Sequence, residues 1–446
     1  MNTSSEDYHA LLARHDAMRL RRRILAPEGS GTAPRRQAPV EQAYDGRADQ
    51  QLISACLPFV SPVEDLVEDL YRYLFERHPY LRSLFPESMA FQQAHLVAVF
   101  HHLIGNLHRP DELTERFVQL GRDHRKLGVR PAHFAAFEAA LLDALRLRAG
   151  VRWSAPLEEA WLRMLRLAVT AMVRGEEEAI AEPSSWEALV TSHEMRAPDL
   201  AVLRVRPQQD YAFRAGQYAA VESPLLEQAW RPYYLARAPH QDGELEFHVR
   251  ARGAGSVSDA LVHGTRPGHT VRLAAPRGAL CLPSAPSDDL LVIASGTGWA
   301  PAKALLQQIT AEPARAHRVR LLLLDAVAGG AGRTAPEPYD TEYLEAFRRG
   351  KPWLTVVPAA QDTRTAGVEL RALNGVLPPR PGAAARQHVC LVLSPEAEDG
   401  AGARTRAFAE RLTAAGVPSA HIHHDTSLTA WTEPAATRTG PGLLSA

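Results

Sequence analysis

The period of the hydrophobic residues changes twice along this chain, and those changes constrain the fold more than any single motif. From residue 51 to about 181, apolar residues recur every three or four positions, at 63–74, 95–107, 134–147 and 157–173, the period of helices that bury one face. Prolines at 58, 62, 79, 86, 110, 131 and 156 punctuate the region, mostly where a helix would start. From Ser184 the pattern becomes short β-type stretches, such as Phe247-His-Val-Arg-Ala-Arg and Thr270-Val-Arg-Leu, separated by Gly and Pro turns. A barrel is the natural closure. After Ser287, buried runs at 290–294, 319–324, 353–357 and 388–393 alternate with helical segments at 301–310 and 403–415, the signature of a parallel α/β sheet.

The expectation is therefore a multidomain chain: an all-α domain over 51–182, a β-barrel over 183–286 and an α/β domain over 287–429. Residues 1–50 read as a flexible tail with a short helix over 5–25 that ends in Arg19-Leu-Arg-Arg-Arg, and 430–446 read as a second tail. The basic cluster suits a solvated charge run or contact with an anionic partner.

With 446 residues, 46% hydrophobic and 23% charged, the chain has material for separate cores. Its longest apolar runs fall far short of the roughly 20 residues that a bilayer crossing requires, and the first residues lack the apolar stretch of a signal peptide. Fifty basic against 51 acidic residues leave a net charge of −1, so nothing in the balance favours nucleic acid or a membrane surface as partner. Cys56, Cys281 and Cys390 are scattered without metal spacing, which points to unpaired thiols in a reducing compartment, the cytoplasm.

Four sites carry chemistry. His124 lies in the helical region, where a neutral imidazole could hold an iron; an ordinary surface or capping histidine is the plainer alternative for one of 19. Arg231-Pro-Tyr-Tyr234 puts a guanidinium beside two aromatic rings, and Gly253-Ala-Gly-Ser-Val-Ser258 offers backbone amides and hydroxyls of the kind that bind phosphate oxygens, though a Gly/Ser run is often only a turn. Gly296-Thr-Gly-Trp-Ala-Pro301 follows a buried strand and opens a helix, the context of a nucleotide-binding glycine turn. In that order the sites describe an electron relay from a hydride donor, through a flavin, to an iron.

The helical segment resembles the globin domain of bacterial flavohaemoglobins, and the resemblance runs on through flavin and nucleotide domains over about residues 51–428. It is carried by Tyr71-Arg-Tyr-Leu-Phe-Glu-Arg-His-Pro79, Leu84-Phe85, Gln92 with Leu96, His124-Arg-Lys-Leu-Gly-Val-Arg-Pro131, Ala160-Trp161 and Glu176. The resemblance implies haem b, FAD and NAD(P)H as cofactors, with oxygen and nitric oxide as substrates and nitrate as product.

It implies His124 as the proximal metal ligand and Glu176 as the carboxylate that takes the hydrogen bond of the ligand's other nitrogen. Glu177 and Glu178 beside it also allow a charged helix end. Tyr71 and Gln92 are the implied catalytic pair that donates hydrogen bonds to the bound gas, Leu96 an apolar gate and Phe85 a packing partner of the haem face. Core packing for Tyr71 and Phe85, and an exposed helix position for Gln92, are the plainer readings.

In the reductase half, Gln217 and Tyr218, then Arg231, Tyr233 and Tyr234, and Gly253, Gly255, Ser256, Val257 and Ser258 are the implied flavin residues. Gly296, Thr297, Gly298, Ala300 and Pro301 are the implied nucleotide residues. Four positions depart from the family. Phe134 stands where the family usually has a tyrosine of the proximal network, Tyr234 where it has a small hydroxyl residue, Leu393-Ser394-Pro395 where it has Cys-Gly-Pro, and Ser427 near its covering aromatic. Tyr234, Leu393 and Ser427 motivate one alternative, a diverged flavin reductase with another organic donor; the other is a non-enzymatic haem-based gas or redox sensor whose basic amino-terminal tail contacts a partner.

Overall fold

The computed structural model describes residue 44 and residues 46–282, 287–312, 316–324, 339–358, 373, 387–393 and 403–425. The helix read over 5–25, Ser394, Pro395, Ser427 and the segment 430–446 lie outside them. The described chain divides into two compact units. One comprises helices up to Glu178; the other runs from Ala179 and also takes in Phe85–Phe91 and Asp123–Gly128.

The first unit is built on α1 (Arg47–Cys56), α2 (Val63–Arg77), α3 (Ala90–Asn106), α4 (Pro110–His124), α5 (Pro131–Ala149) and α6 (Ala155–Glu178). Helix α2 packs on α5, and α1 on α6. Leu66 and Leu70 from α2, Leu141 and Leu145 from α5, and Trp161 and Met164 from α6 are fully buried, each contributing about 1.5–3 kcal/mol of transfer free energy. Phe100 of α3 meets Trp161 edge to face at 6.1 Å.

Helix α4 escapes the periodicity because it buries only Leu113, Phe117 and Gly121, one residue per turn, among charged neighbours. Its closeness to α6 has a specific cause. A Cβ on Gly121 would lie 2.0 Å from the Met172 carbonyl oxygen, and one on Gly175 1.9 Å from that of Val118. Each helix therefore supplies the missing side chain that the other needs.

Helix α1 corrects the reading of residues 1–50 as tail, since it begins at Arg47. The composition there cannot bury apolar surface, but Asp49 in the first turn is 6% exposed and accepts bonds from Arg163 Nε (2.9 Å) and Nη2 (2.7 Å) and from the Tyr44 hydroxyl (2.7 Å). Burial pushes its carboxyl up, yet the bonds from Arg163 and Tyr44 outweigh burial and hold it below the ordinary value of 3.8. A carboxyl with a depressed folded-state value stabilises above its unfolded value and loses that contribution as pH falls through the folded one. Asp49→Asn should thus lower stability by about 2 kcal/mol at pH 7. The gap between wild type and D49N in urea midpoint, followed by circular dichroism, should close as pH drops below about 4.

The second unit opens with a six-stranded antiparallel sheet of β1 (Trp186–Ala197), β2 (Leu200–Pro207), β3 (Tyr218–Glu222), β4 (Trp230–Tyr234), β5 (Leu245–Arg250) and β6 (Thr270–Leu273). The order is β4-β3-β6-β1-β2-β5, and a bridge between Leu235 and Phe247 closes the ends into the expected barrel. Leu245, Phe247 and Val249 point into its core with Leu203, Val205, Val221 and Val271.

A parallel sheet follows, of β7 (Ser287–Ser295), β8 (Ala316–Leu324), β9 (Leu354–Pro358), β10 (His388–Leu393) and β11 (Ile422–His423), in the order β11-β10-β7-β8-β9. With it come α7 (Trp299–Ala311), α8 (Thr341–Arg348) and α9 (Ala403–Ala414). Leu290, Val292 and Ala294 of β7 share a core with α7, while Leu291 and Ile293 share one with Phe408 and Leu412 of α9. Burial on both faces explains why the strands read as unbroken apolar runs. The three cysteines are free, and no described helix is long and apolar enough to cross a membrane.

Candidate functional site

His124 is the last residue of α4, half-buried, and is followed by a single 3₁₀ turn over Arg125–Leu127 that Gly128 ends at φ 74°. A position fixed between a helix end and a left-handed glycine gives the imidazole a defined origin. Tyr71 lies on α2, 7% exposed, its ring stacked on Phe75 at 5.9 Å. Burial pushes its phenol above the ordinary value, so the hydroxyl keeps its proton and can donate.

Gln92 and Leu96 sit one turn apart on α3, both half-buried, and Phe85 precedes that helix. Glu176 turns one carboxylate oxygen fully inside, whereas Glu177 and Glu178 stay exposed and Glu178 pairs with Arg122 at 2.9 Å. The charged helix end is thus made by the other two acids. Tyr71, Gln92, Leu96 and Glu176 belong to the first unit, and Phe85 and His124 to segments grouped with the second. Phe134, on α5, is half-buried.

One observation tests whether these residues suit a haem. Gln92 Oε1 is buried and has no hydrogen-bond partner among the described residues. An unpartnered acceptor in a folded interior is costly, and a ligand that donates to it, or a turn of the amide that presents its Nε2–H to an accepting ligand, removes the cost. The residues fit.

In the barrel, Tyr218 pairs across the ladder with Tyr234, Ala219 with Tyr233 and Val221 with Arg231. Strand alternation sends the two neighbouring tyrosines to opposite faces: Tyr233 packs against the barrel core and Tyr234 against the core of the parallel sheet, edge-on to Tyr218 at 6.0 Å. Burial, followed by the charge of Asp425, pushes the Tyr234 phenol far above its ordinary value. Arg231 is half-buried and its Nη1 donates to the Trp230 carbonyl at 2.9 Å. Gln217 serves its own turn, its Oε1 accepting from the Arg214 amide at 2.8 Å, while Gly216 at φ 93° approaches Leu280 too closely for a Cβ.

The loop 253–258 is open: Gly253, Ala254 and Gly255 are exposed, and a Cβ on Gly253 would meet nothing within 4 Å. The Gly255 amide is taken by Asp259 at 2.9 Å, and Val257 is buried in the barrel core. Ser256 and Ser258 share a hydroxyl–hydroxyl bond of 2.8 Å, and they otherwise accept from the amides of Asp259 and Arg252. Two hydroxyls joined by one bond keep one hydrogen to donate, which suits a phosphate oxygen of a flavin dinucleotide.

Gly296, Thr297 and Gly298 form one 3₁₀ turn between β7 and α7. Its glycines have different causes. Gly296 adopts φ 51°, whereas Gly298 has an ordinary φ of −62° but lies so close to β10 that a Cβ would come 2.0 Å from the Val392 carbonyl oxygen. Ala300 and Pro301 are buried in the first turn of α7.

Beside this turn lies a buried network that the motifs do not include. Lys303 Nζ donates to Glu246 Oε1 of β5 (2.8 Å) and to Asp340 Oδ2 at the head of α8 (3.0 Å), and lies 3.9 Å over the Tyr343 ring. Trp299 Nε1 donates to the same Asp340 oxygen (3.1 Å), and Arg204 Nε to Glu246 Oε2 (3.0 Å). His248 contacts Glu246 Oε1 through Nε2 (3.0 Å) and the Tyr339 hydroxyl through Nδ1 (2.7 Å). Burial holds His248 below its ordinary value and so neutral; a carboxylate only accepts, hence Nε2–H donates to Glu246 and Nδ1 accepts from Tyr339. Burial alone would raise the Glu246 carboxyl, but His248 and Lys303 outweigh it and hold Glu246 below the carboxylate range. The signal for this network was a polar Glu246 and His248 on the outer face of a strand, facing a lone lysine in an apolar helix.

Residues 68–172 match the globin family model, and residues 187–281 match the oxidoreductase FAD-binding domain. A flavohemoprotein of Bacillus subtilis is 22% identical over 270 residues, covering 56% of this chain and 67% of the relative. The xylene/toluene monooxygenase electron transfer component XylA of Pseudomonas putida is 37% identical over 142 residues, 32% of this chain and 39% of that protein. The chain thus spans about two thirds of the first relative and well under half of the second. The crystal structure of a flavohemoglobin from Malassezia yamatoensis, with bound FAD and heme, shares the fold at a TM-score of 0.63 and 17% identity, over 85% of this chain and 98% of that one. These family matches give a haem to the globin domain and FAD to the barrel. A globin match, a FAD-binding match and a parallel α/β sheet succeed one another here in a single chain, and in sequence and fold the chain is similar to flavohaemoglobins.

Proposed function

We propose that the chain is an NAD(P)H-dependent oxidoreductase that passes electrons from the nicotinamide through FAD to haem and converts nitric oxide to nitrate. The order of its domains supports the electron path, and the buried, unpartnered amide oxygen of Gln92 on the globin side, which a turn of the amide would exchange for a donating Nε2–H, is the single observation that supports the gas-binding step. When bound, haem supplies an iron that takes up oxygen, and FAD supplies the exchange between a hydride and single electrons.

The side chains do the rest. By the resemblance, His124 would hold the iron and Glu176 would be the carboxylate that keeps its imidazole neutral and oriented. Tyr71, protonated because it is buried, would donate to the gas together with the Gln92 Nε2–H, and Leu96 would limit access. Phe134 removes one hydroxyl from the proximal side, so that Glu176 acts there without the family's tyrosine. In the barrel, Arg231 and the Ser256–Ser258 pair would neutralise and orient the diphosphate. Gly296–Gly298, with Thr297, would let the nucleotide approach the start of α7, shaped by Ala300 and Pro301.

The test is NADH consumption by full-length protein loaded with haem and FAD, with and without nitric oxide. Consumption should rise on adding nitric oxide in the presence of oxygen. Normal haem reduction without that rise would overturn the dioxygenase reading and leave the oxidoreductase standing. Flavin that NADH and NADPH both fail to bleach would instead point to another donor.

A further inference from the structure

We propose that Lys303 is a positioning residue for hydride transfer, clamped between Glu246 of the barrel and Asp340 of the nucleotide domain so that it sets the glycine turn Gly296–Gly298 against the flavin-bearing strands. This rests on the reductase reading above and adds a residue to it. The geometry makes Lys303 a junction rather than one more ion pair. Its three protons face Glu246 at 2.8 Å, Asp340 at 3.0 Å and the Tyr343 ring at 3.9 Å, with the lysine and both acids about 5% exposed or less. Each carboxylate is in turn fixed by a partner on its own side. Glu246 takes bonds from Arg204 on β2 and from His248, two residues along its own strand. Asp340 takes one from Trp299, the first residue of α7.

Trp299 and Lys303 are one turn apart on the helix that the glycine turn opens, so Asp340 grips that turn at two points and Glu246 ties it to the barrel. An apolar contact would bury the same area without fixing a direction. A buried lysine with every proton assigned tolerates little sliding, because each ångström strands a charge in a low-dielectric interior. Hydride transfer needs its reacting atoms held about 3–3.5 Å apart, and a misplacement of about 1 Å can slow it 100-fold.

The experiment compares full-length, FAD-loaded wild type with Lys303→Met, Glu246→Gln and the double variant, by stopped-flow reduction of the flavin with NADH and, separately, by photoreduction of the same flavin. Both single variants should keep the flavin spectrum and the photoreduction rate, while the rate of reduction by NADH falls about tenfold or more. The double variant should be no slower than the slower single variant, since both cut one link. Lys303→Arg should recover part of the rate. Unchanged reduction by NADH in folded K303M and E246Q overturns the proposal. So does loss of flavin and of fold in both, since the network would then be only structural. Wild-type flavin that photoreduces but is bleached by neither NADH nor NADPH overturns the reductase reading itself, which distinguishes the two failures.

Discussion

Replacing His124 by alanine should yield a protein that folds and keeps its flavin but purifies without haem. The Soret absorbance per chain should fall at least roughly tenfold, because on the proposed reading His124 is the residue that would hold the iron. His124 stands at the end of α4, half-buried and followed by a left-handed glycine, so trimming it removes no core packing comparable to Phe117 or Leu113. The flavin band therefore serves as an internal control. His124→Gly with added imidazole should restore a Soret band, since a free ligand can then fill the gap. An unchanged Soret band in H124A would move the iron to another of the chain's histidines and end the assignment.

Gly298→Ala should cost about 3 kcal/mol and lower the melting temperature of the nucleotide domain by several degrees, the upper end of what overpacking does. The added Cβ would lie 2.0 Å from the Val392 carbonyl oxygen, which belongs to β10, paired on both sides in the parallel sheet, and cannot swing aside as a flexible side chain could. Gly253→Ala provides the contrast. A Cβ there meets nothing within 4 Å, so the change should stay within about 0.5 kcal/mol. Differential scanning calorimetry of the two variants decides the matter, and equal melting temperatures would mean that α7 and β10 can separate without penalty.

The two glycines look alike in the sequence, each part of a Gly-x-Gly run before a helix, and yet packing treats them oppositely. The same lesson recurs in the helical unit. The 3.6-residue period exposed α2, α3, α5 and α6 because each buries a broad apolar stripe, but it passed over α4, whose buried face is one residue wide, and α1, whose N-terminal turn is held by Asp49 and Arg163 across 114 positions. Long-range ion pairs leave no periodic trace.

In the second unit, motif spacing singled out the turns at 253–258 and 296–301, since glycines and hydroxyls let the backbone bend and expose amides at such junctions. Spacing could not say that Tyr233 and Tyr234 face different cores, nor that the Gly255 amide is already engaged by Asp259. Nor did it join Glu246, Lys303 and Asp340, which lie 57 and 37 positions apart in pairs.

What the amino-acid order determined by itself was most of what is local: the broad-striped helices, the buried strands and the places where the backbone must bend, and hence the succession of helical, antiparallel and parallel regions. Periodicity and turn chemistry act over a few residues, so they can be read along a line. Only the tertiary structure decided which polar groups are buried together, which glycine is forced by a neighbour rather than by its own dihedral angle, and which charges hold one layer to the next. Burial, dielectric and van der Waals exclusion depend on distances through space, and those distances exist only once the chain has closed on itself.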